Sequence, residues 1–240
     1  SSSTHALVGG IVGSVVAASG GSFRYIVWGA PDHIMHSTGI WKVVLALFLS
    51  PLIGFVGGFL CFTVGIFLLM RVSSRVNKYL KEAQWLTVAA LAFGHGANDT
   101  QKAMGVIMLS LNAVGLTHST EIPPWVRFVV GMAMVAGIVA LVPGIVKRVG
   151  GIYRLRPIHG LSTELASAVI VIGGSLIGGP VSASQVIAST VMGVGTAERR
   201  KGVHWLIARD MLLAWFLTIP CSGVLAVCVY SLIHLIPFIG

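Results

Sequence analysis

Apolar residues along this chain fall into long runs parted by short polar or basic interruptions, and the run lengths predict the elements. The first run, Ala6 to Ala18, would rise only about 20 Å as a helix, too short for a hydrocarbon core about 30 Å thick. It reads as the returning half of a helical hairpin covering Ser1 to Ala18. After a mixed loop, residues 43–70 predict a spanning helix, with Pro51 bending it and Gly57-Gly58 admitting close contact. Residues 85–116 predict a broken helix, because its centre holds two flexible glycines, Gly94 and Gly96, and an ionisable cluster. A plain spanning helix is predicted over 125–146. Residues 159–195 divide at Gly178-Gly179-Pro180 into two arms of a hairpin, and 205–236, kinked at Pro220, forms the last helix.

Composition names the solvent of these helices. Of the 240 residues 55% are hydrophobic and 10% charged, whereas a soluble domain carries about 25% charged residues. Lipid therefore surrounds the chain, and the fold class is an all-α polytopic membrane protein. A β-barrel would show alternating segments of about ten residues, and none occurs. The chain opens on Ser1-Ser2-Ser3 with no initiator Met and no charged leader, and reads as the interior of a longer protein. Cys61, Cys221 and Cys228 lie inside apolar runs, where small-residue packing is the expected role.

The net charge of +9 bears on orientation. The basic residues sit in short loops without interleaved stacking aromatics, which argues against a nucleic-acid partner. Lys and Arg are retained on the cytoplasmic side, so loops 71–81, 147–156 and 198–201 are expected there. Helix 43–70 then runs inward, 85–116 outward and 125–146 inward. The arms of 159–195 leave and return to one face, which makes them a re-entrant hairpin. The half hairpin at the start must enter from the opposite face, as inverted-topology repeats require. The expected division is 1–81, the remainder of a first repeat, and 82–240, a second repeat. The two tips support it: Ser2-Ser3-Thr4-His5 overlies Ser182-Ala183-Ser184-Gln185 at an offset of 180, and Gly13 overlies Gly193.

The polar residues then suggest a chemistry. Each tip offers hydroxyls and the first free N–H groups of a short helix, whose positive dipole end favours an anion. Two tips meeting would grip a tetrahedral oxyanion; the candidate substrate residues are Ser2, Ser3, Thr4, Ser182, Ala183, Ser184 and Gln185. Asn98 and Asp99 supply oxygens suited to a hard cation, either Na⁺ or, through the Asp99 carboxyl, H⁺. Lys102, one turn beyond Asn98, would pair with Asp99 or touch the anion. His5, His95, Thr100 and Glu164 are further supporting candidates. For a single Ser or Thr in a membrane helix, bonding to its own backbone is the ordinary role. Arg209-Asp210 reads as an interfacial ion pair.

Gly96-Ala97-Asn98-Asp99 flanked by Phe93-Gly94-His95, with the tips Ser2-Ser3-Thr4-His5 and Gly179-Pro180-Val181-Ser182, resembles the PiT inorganic phosphate transporters. Ser162-Thr163-Glu164-Leu165-Ala166 and Met192-Gly193-Val194-Gly195 extend the resemblance over most of the chain. That family carries two Gly-Ala-Asn-Asp motifs on inverted repeats, with phosphate and coupling cations between them. The resemblance implies that Asn98 and Asp99 help bind the cation and organise the phosphate site. It implies too that Ser3, Thr4, Ser182 and Ser184 contact phosphate and that Glu164 belongs to the essential polar set.

At the second tip, Ala183 and Gln185 stand where the family usually has a hydroxyl and a histidine. A sulfate or other oxyanion permease is the neighbouring reading, and a non-transporting scaffold or receptor a more distant one. The first Gly-Ala-Asn-Asp motif is expected upstream or on a second polypeptide. No cofactor and no enzymatic chemistry are expected. A homodimer is a common assembly for such transporters, and the cell membrane is the expected location.

Overall fold

The computed structural model describes residues 2–29, 39–71, 76–119, 121–153, 155–179 and 181–235, without the side chains of 76, 141–146 and 148. Among the expectations above, Ser1, Arg75, Arg154, Pro180, Ile236 and the Arg148 side chain lie outside the described residues. The described chain is helical: α1 (Ser3–Ala18), α2 (Gly39–Leu69), α3 (Val76–Ala113), α4 (Pro124–Gly150), α5 (Pro157–Leu176), α6 (Ala183–Arg199), a 3₁₀ turn at Arg200–Gly202, and α7 (Trp205–His234). By length and composition α2, α5 and α7 can each cross a membrane. Their outward faces are greasy, as Leu52, Phe67, Leu176, Phe216 and Leu217 illustrate, which suits hydrocarbon.

One expectation is corrected. Residues 85–116 do not form a broken helix, because α3 runs uninterrupted through Gly94 and Gly96 for 38 residues. Gly94 serves close packing instead: a Cβ there would lie 2.7 Å from Ile172 Cγ1 on α5. Asn98, Asp99 and Lys102 of α3 find partners on neighbouring elements, described below, so the helix need not unwind to satisfy them. The loop expected over 71–81 is also shortened, since Lys78 and Lys81 already belong to α3.

Glycines set the remaining packing. On α1, Gly9 and Gly13 lie against the backbone of Ile219 and Gly223 on α7; on α6, Gly193 lies against that of Phe55 and Phe59 on α2. Gly54 and Gly58 of α2 meet Val186 and Thr190 in the same interface. Each short helix thus packs along the long helix that follows the other short helix. Small residues let backbones approach closely, which is how membrane helices associate where lipid is as apolar as Leu.

The arms α5 and α6 form a hairpin. At its tip α5 is followed by Ile177 and Gly178, and the φ of +68° at Gly178 suits glycine. Gly179 N donates to Gly174 O (2.9 Å) and Gly178 N to Ser175 O (3.1 Å), a Schellman cap. At the base, Arg156 pairs with Glu198, and Tyr153 Oη donates to the same carboxylate. His159, fully buried between Phe62 and Tyr153, accepts from Arg156 N at 2.9 Å. Its Nε2 lies 2.9 Å from Glu198 Oε2 but outside hydrogen-bonding geometry. A Cβ on Gly65 of α2 would meet Ile158, and one on Gly160 would meet Gln84 of α3. The three basic segments therefore share one end of the protein.

Adding a methyl at Gly193 should lower stability by about 1–3 kcal/mol through overpacking. At Gly105, where a Cβ meets nothing, Gly→Ala should gain about 0.5–1 kcal/mol. Thermal unfolding of Gly193→Ala and Gly105→Ala in detergent checks both signs.

Candidate functional site

The tips of α1 and of the α5–α6 hairpin meet beside the middle of α3. Ser2 and Ser182 are the N-cap residues of α1 and α6, and their hydroxyls touch at 2.8 Å. Ser182 makes no side-chain cap to its own helix; its hydroxyl lies instead between Ser2 and Ser184, the latter at 3.3 Å. One turn deeper, His5 Nε2 and Gln185 Nε2 stand 3.5 Å apart. Both pairs join residues 180 apart, the offset at which the two tips overlie in sequence. Ser2, Thr4, His5, Ser182 and Gln185 are all buried. His5 Nδ1 and Gln185 Oε1 have no hydrogen-bond partner among the described residues, a costly state for buried polar atoms.

Behind the tips lies the cluster on α3. Asp99 Oδ1 accepts from Asn98 Nδ2 (3.1 Å) and Lys102 Nζ (3.0 Å), while Oδ2 accepts from Ser3 Oγ (3.1 Å). Lys102 Nζ also donates to Thr4 Oγ1 (2.9 Å) and to the Val181 carbonyl (3.0 Å). Asn98 donates to the same carbonyl (3.0 Å), and its Oδ1 faces Ser175 Oγ at 3.4 Å. The opposite amide orientation would set oxygen against oxygen at both Asp99 and Val181. Lys102 and Asp99 side chains are each 17% exposed; in so sheltered a place, removing one charge strands the other at a cost of about 3–5 kcal/mol.

The expected residues do not all converge. Ser2, Ser3, Thr4, His5, Asn98, Asp99, Lys102, Ser182, Ser184 and Gln185 form one connected group. Ala183 is buried with Val171, Val181 and Val186, an apolar niche in which a hydroxyl would lack partners. Thr100 donates to Gly96 O (2.7 Å) and Ala97 O (3.3 Å) of its own helix. His95 makes no side-chain hydrogen bond to the group, and its Nδ1 is buried without a partner. Glu164 accepts from Thr87 Oγ1 at 2.7 Å, about 16 Å along α5 from Ser175. Arg209 and Asp210 pair at 3.4 Å on the surface, both well exposed, where such pairs contribute little.

Sequence reasoning missed the Val181 carbonyl as an acceptor in the site, Ser175, and the base cluster of Tyr153, His159 and Glu198. The Gly-Gly-Pro stop before Val181 marks a stretch whose carbonyls leave the helix ladder, so that signal was present. For Glu198, which opens directly onto the basic run Arg199-Arg200-Lys201, no local signal exists.

A model described as the phosphate transporter family matches residues 1–226. The chain belongs to that family. The members of that family are described as transporters and not as enzymes. The chain is 38% identical to the "Probable low-affinity inorganic phosphate transporter" of Bacillus subtilis (strain 168), over 98% of this chain and 68% of that one. It is 33% identical to the protein of the same description from Mycobacterium tuberculosis (strain ATCC 25618 / H37Rv), over 98% of this chain and 55% of that one. The chain thus spans 55% to 68% of the length of these two relatives. A solved structure, "The sodium-dependent phosphate transporter", shares its fold with a TM-score of 0.60 at 21% identity, over 97% of this chain and 64% of that one.

The contact between the tips makes a direct prediction. With the three native cysteines replaced, Ser2→Cys and Ser182→Cys should form a disulfide under mild oxidation, because their γ atoms already touch. Ser14→Cys, about 18 Å down α1 from Ser2, should not bridge to Ser182→Cys. Mass spectrometry of the tryptic digest distinguishes the two pairs.

Proposed function

We propose that the protein carries inorganic phosphate across a membrane by secondary active transport, coupled to a cation. The observation that carries this reading is the meeting of two helix N-termini, through their N-cap residues Ser2 and Ser182, directly in front of Asn98 and Asp99. An oxyanion entering there replaces the serine–serine bond with hydroxyl donors from both tips and adds the unpaired N–H groups of the first helical turns. The helix dipoles supply positive potential without a permanent charge, which holds an anion and still permits release. The unpartnered His5 Nδ1 and Gln185 Oε1 mark further polar capacity in the same place.

Asn98 and Asp99 are the cation side of the site, with Na⁺ or H⁺ as the coupling ion. Alternating access is compatible with this packing: α1 rides on α7 and α6 on α2, so the tips separate if those two packed units rock apart. The exchanged packing and the 180-residue offset support inverted repeats, divided at about residue 81. The end carrying the three basic segments faces the cytoplasm of a cell membrane in this reading. The polar tips are more extensive than a non-transporting scaffold requires.

Uptake of radiolabelled phosphate into proteoliposomes tests the proposal. Asp99→Asn should lower the initial rate about a hundredfold, the loss expected when a sheltered charge pair is broken. Excess sulfate should compete weakly. Unaltered uptake by Asp99→Asn contradicts the mechanism, and full competition by sulfate favours a general oxyanion permease.

A further inference from the structure

We infer that the Lys102 ammonium is a tethered cation that occupies the oxygen cage a coupling Na⁺ would need, so that this protein does not bind or use sodium. The inference rests on the transport reading above and narrows its coupling ion.

The three acceptors around Lys102 Nζ come from three different elements. Thr4 Oγ1 lies on α1 at 2.9 Å, Asp99 Oδ1 on α3 at 3.0 Å, and the Val181 carbonyl on the linker between α5 and α6 at 3.0 Å. A carboxylate, a hydroxyl and a main-chain carbonyl are the hard oxygen donors that an alkali cation recruits. An ammonium has three N–H donors, and these three acceptors use all of them. No lone pair is available from Lys102 itself, so a metal ion placed beside it meets repulsion and no ligand.

The surrounding groups reinforce this exclusion. Asn98 turns its NH₂ toward Asp99 Oδ1 and Val181 O, presenting donors where a metal would require an oxygen. Asp99 Oδ2 is taken by Ser3 Oγ. The unbroken course of α3 keeps the carbonyls around Gly94 to Asp99 in the helix ladder, and Thr100 Oγ1 takes the second acceptor site of Gly96 O and Ala97 O. The expectation that Asn98 and Asp99 hold Na⁺ therefore does not fit the cage as it is built.

The consequence concerns coupling. A covalently attached charge neutralises Asp99 and draws the tips together as a bound ion would, but it is never released across the membrane. A sodium gradient then has no purchase on the cycle, and the driving ion must be one that acts elsewhere or moves as a proton.

The test combines a binding and a transport readout on the reconstituted protein. Radioactive sodium binding is measured by scintillation proximity on wild type, Lys102→Met, Lys102→Arg and the double variant Lys102→Met/Asp99→Asn. Phosphate uptake is measured in sodium and in choline media. Wild type and Lys102→Arg should show no saturable sodium binding, and wild-type uptake should be the same in both media. Lys102→Met, which frees the three oxygens, should gain sodium binding that the double variant lacks, and sodium should stimulate its uptake about tenfold or more. Saturable sodium binding by wild type overturns the inference, even if the Lys102 variants fail to fold. Undiminished uptake by Lys102→Met in choline overturns it too. Absence of phosphate uptake by wild type in every medium defeats the transport reading, while the sodium-binding arms still decide this one.

Discussion

A carboxylate sheltered among hydrocarbon-facing helices must draw its donors from its own protein, and the position of Asp99 organises much of the structure. Its oxygens accept from Ser3, Asn98 and Lys102, and Lys102 in turn reaches Thr4 and the Val181 carbonyl. Satisfying one charge therefore fixes α1, α3 and the hairpin tip in relation to each other. The same requirement explains why α3 stays helical. With partners arriving from outside, the backbone has no reason to open, and Gly94 and Gly96 remain helical residues despite their poor intrinsic propensity.

The second ordering influence is close approach of backbones. Gly13 and Gly193, 180 positions apart, lie in the two interfaces that hold α1 on α7 and α6 on α2. Lipid offers little hydrophobic drive for helix association, so contact area at small residues supplies it. These interfaces carry the two N-caps to the point where Ser2 meets Ser182. At the opposite end, Arg156, Tyr153 and His159 converge on Glu198 and close the base of the hairpin.

Much of this architecture was legible in the run lengths. Seven helical segments, the stop at Gly178-Gly179 and the equivalence of the two tips follow from patterns local in sequence. The continuity of α3 was not, because a glycine reads alike whether it breaks a helix or admits a neighbour such as Ile172. Lys102 was left between two roles, with Asp99 or with the anion, since both lie within reach of a long side chain; three oxygen neighbours decide for the carboxylate in this conformation. Ala183 looked like a lost hydroxyl, and its place among Val171, Val181 and Val186 gives the physical reason for an alanine. Glu198 was hidden because its partners Tyr153 and Arg156 are distant in sequence and three basic residues follow it directly.

The account stands on two helix N-termini forming one anion site, and equilibrium binding of labelled orthophosphate to the detergent-purified protein tests that claim without requiring a transport cycle. Wild type should bind phosphate saturably, each of Ser2→Ala and Ser182→Ala should weaken binding, and the double variant should lose it. Undiminished phosphate binding by a correctly folded Ser2→Ala/Ser182→Ala protein would contradict the account.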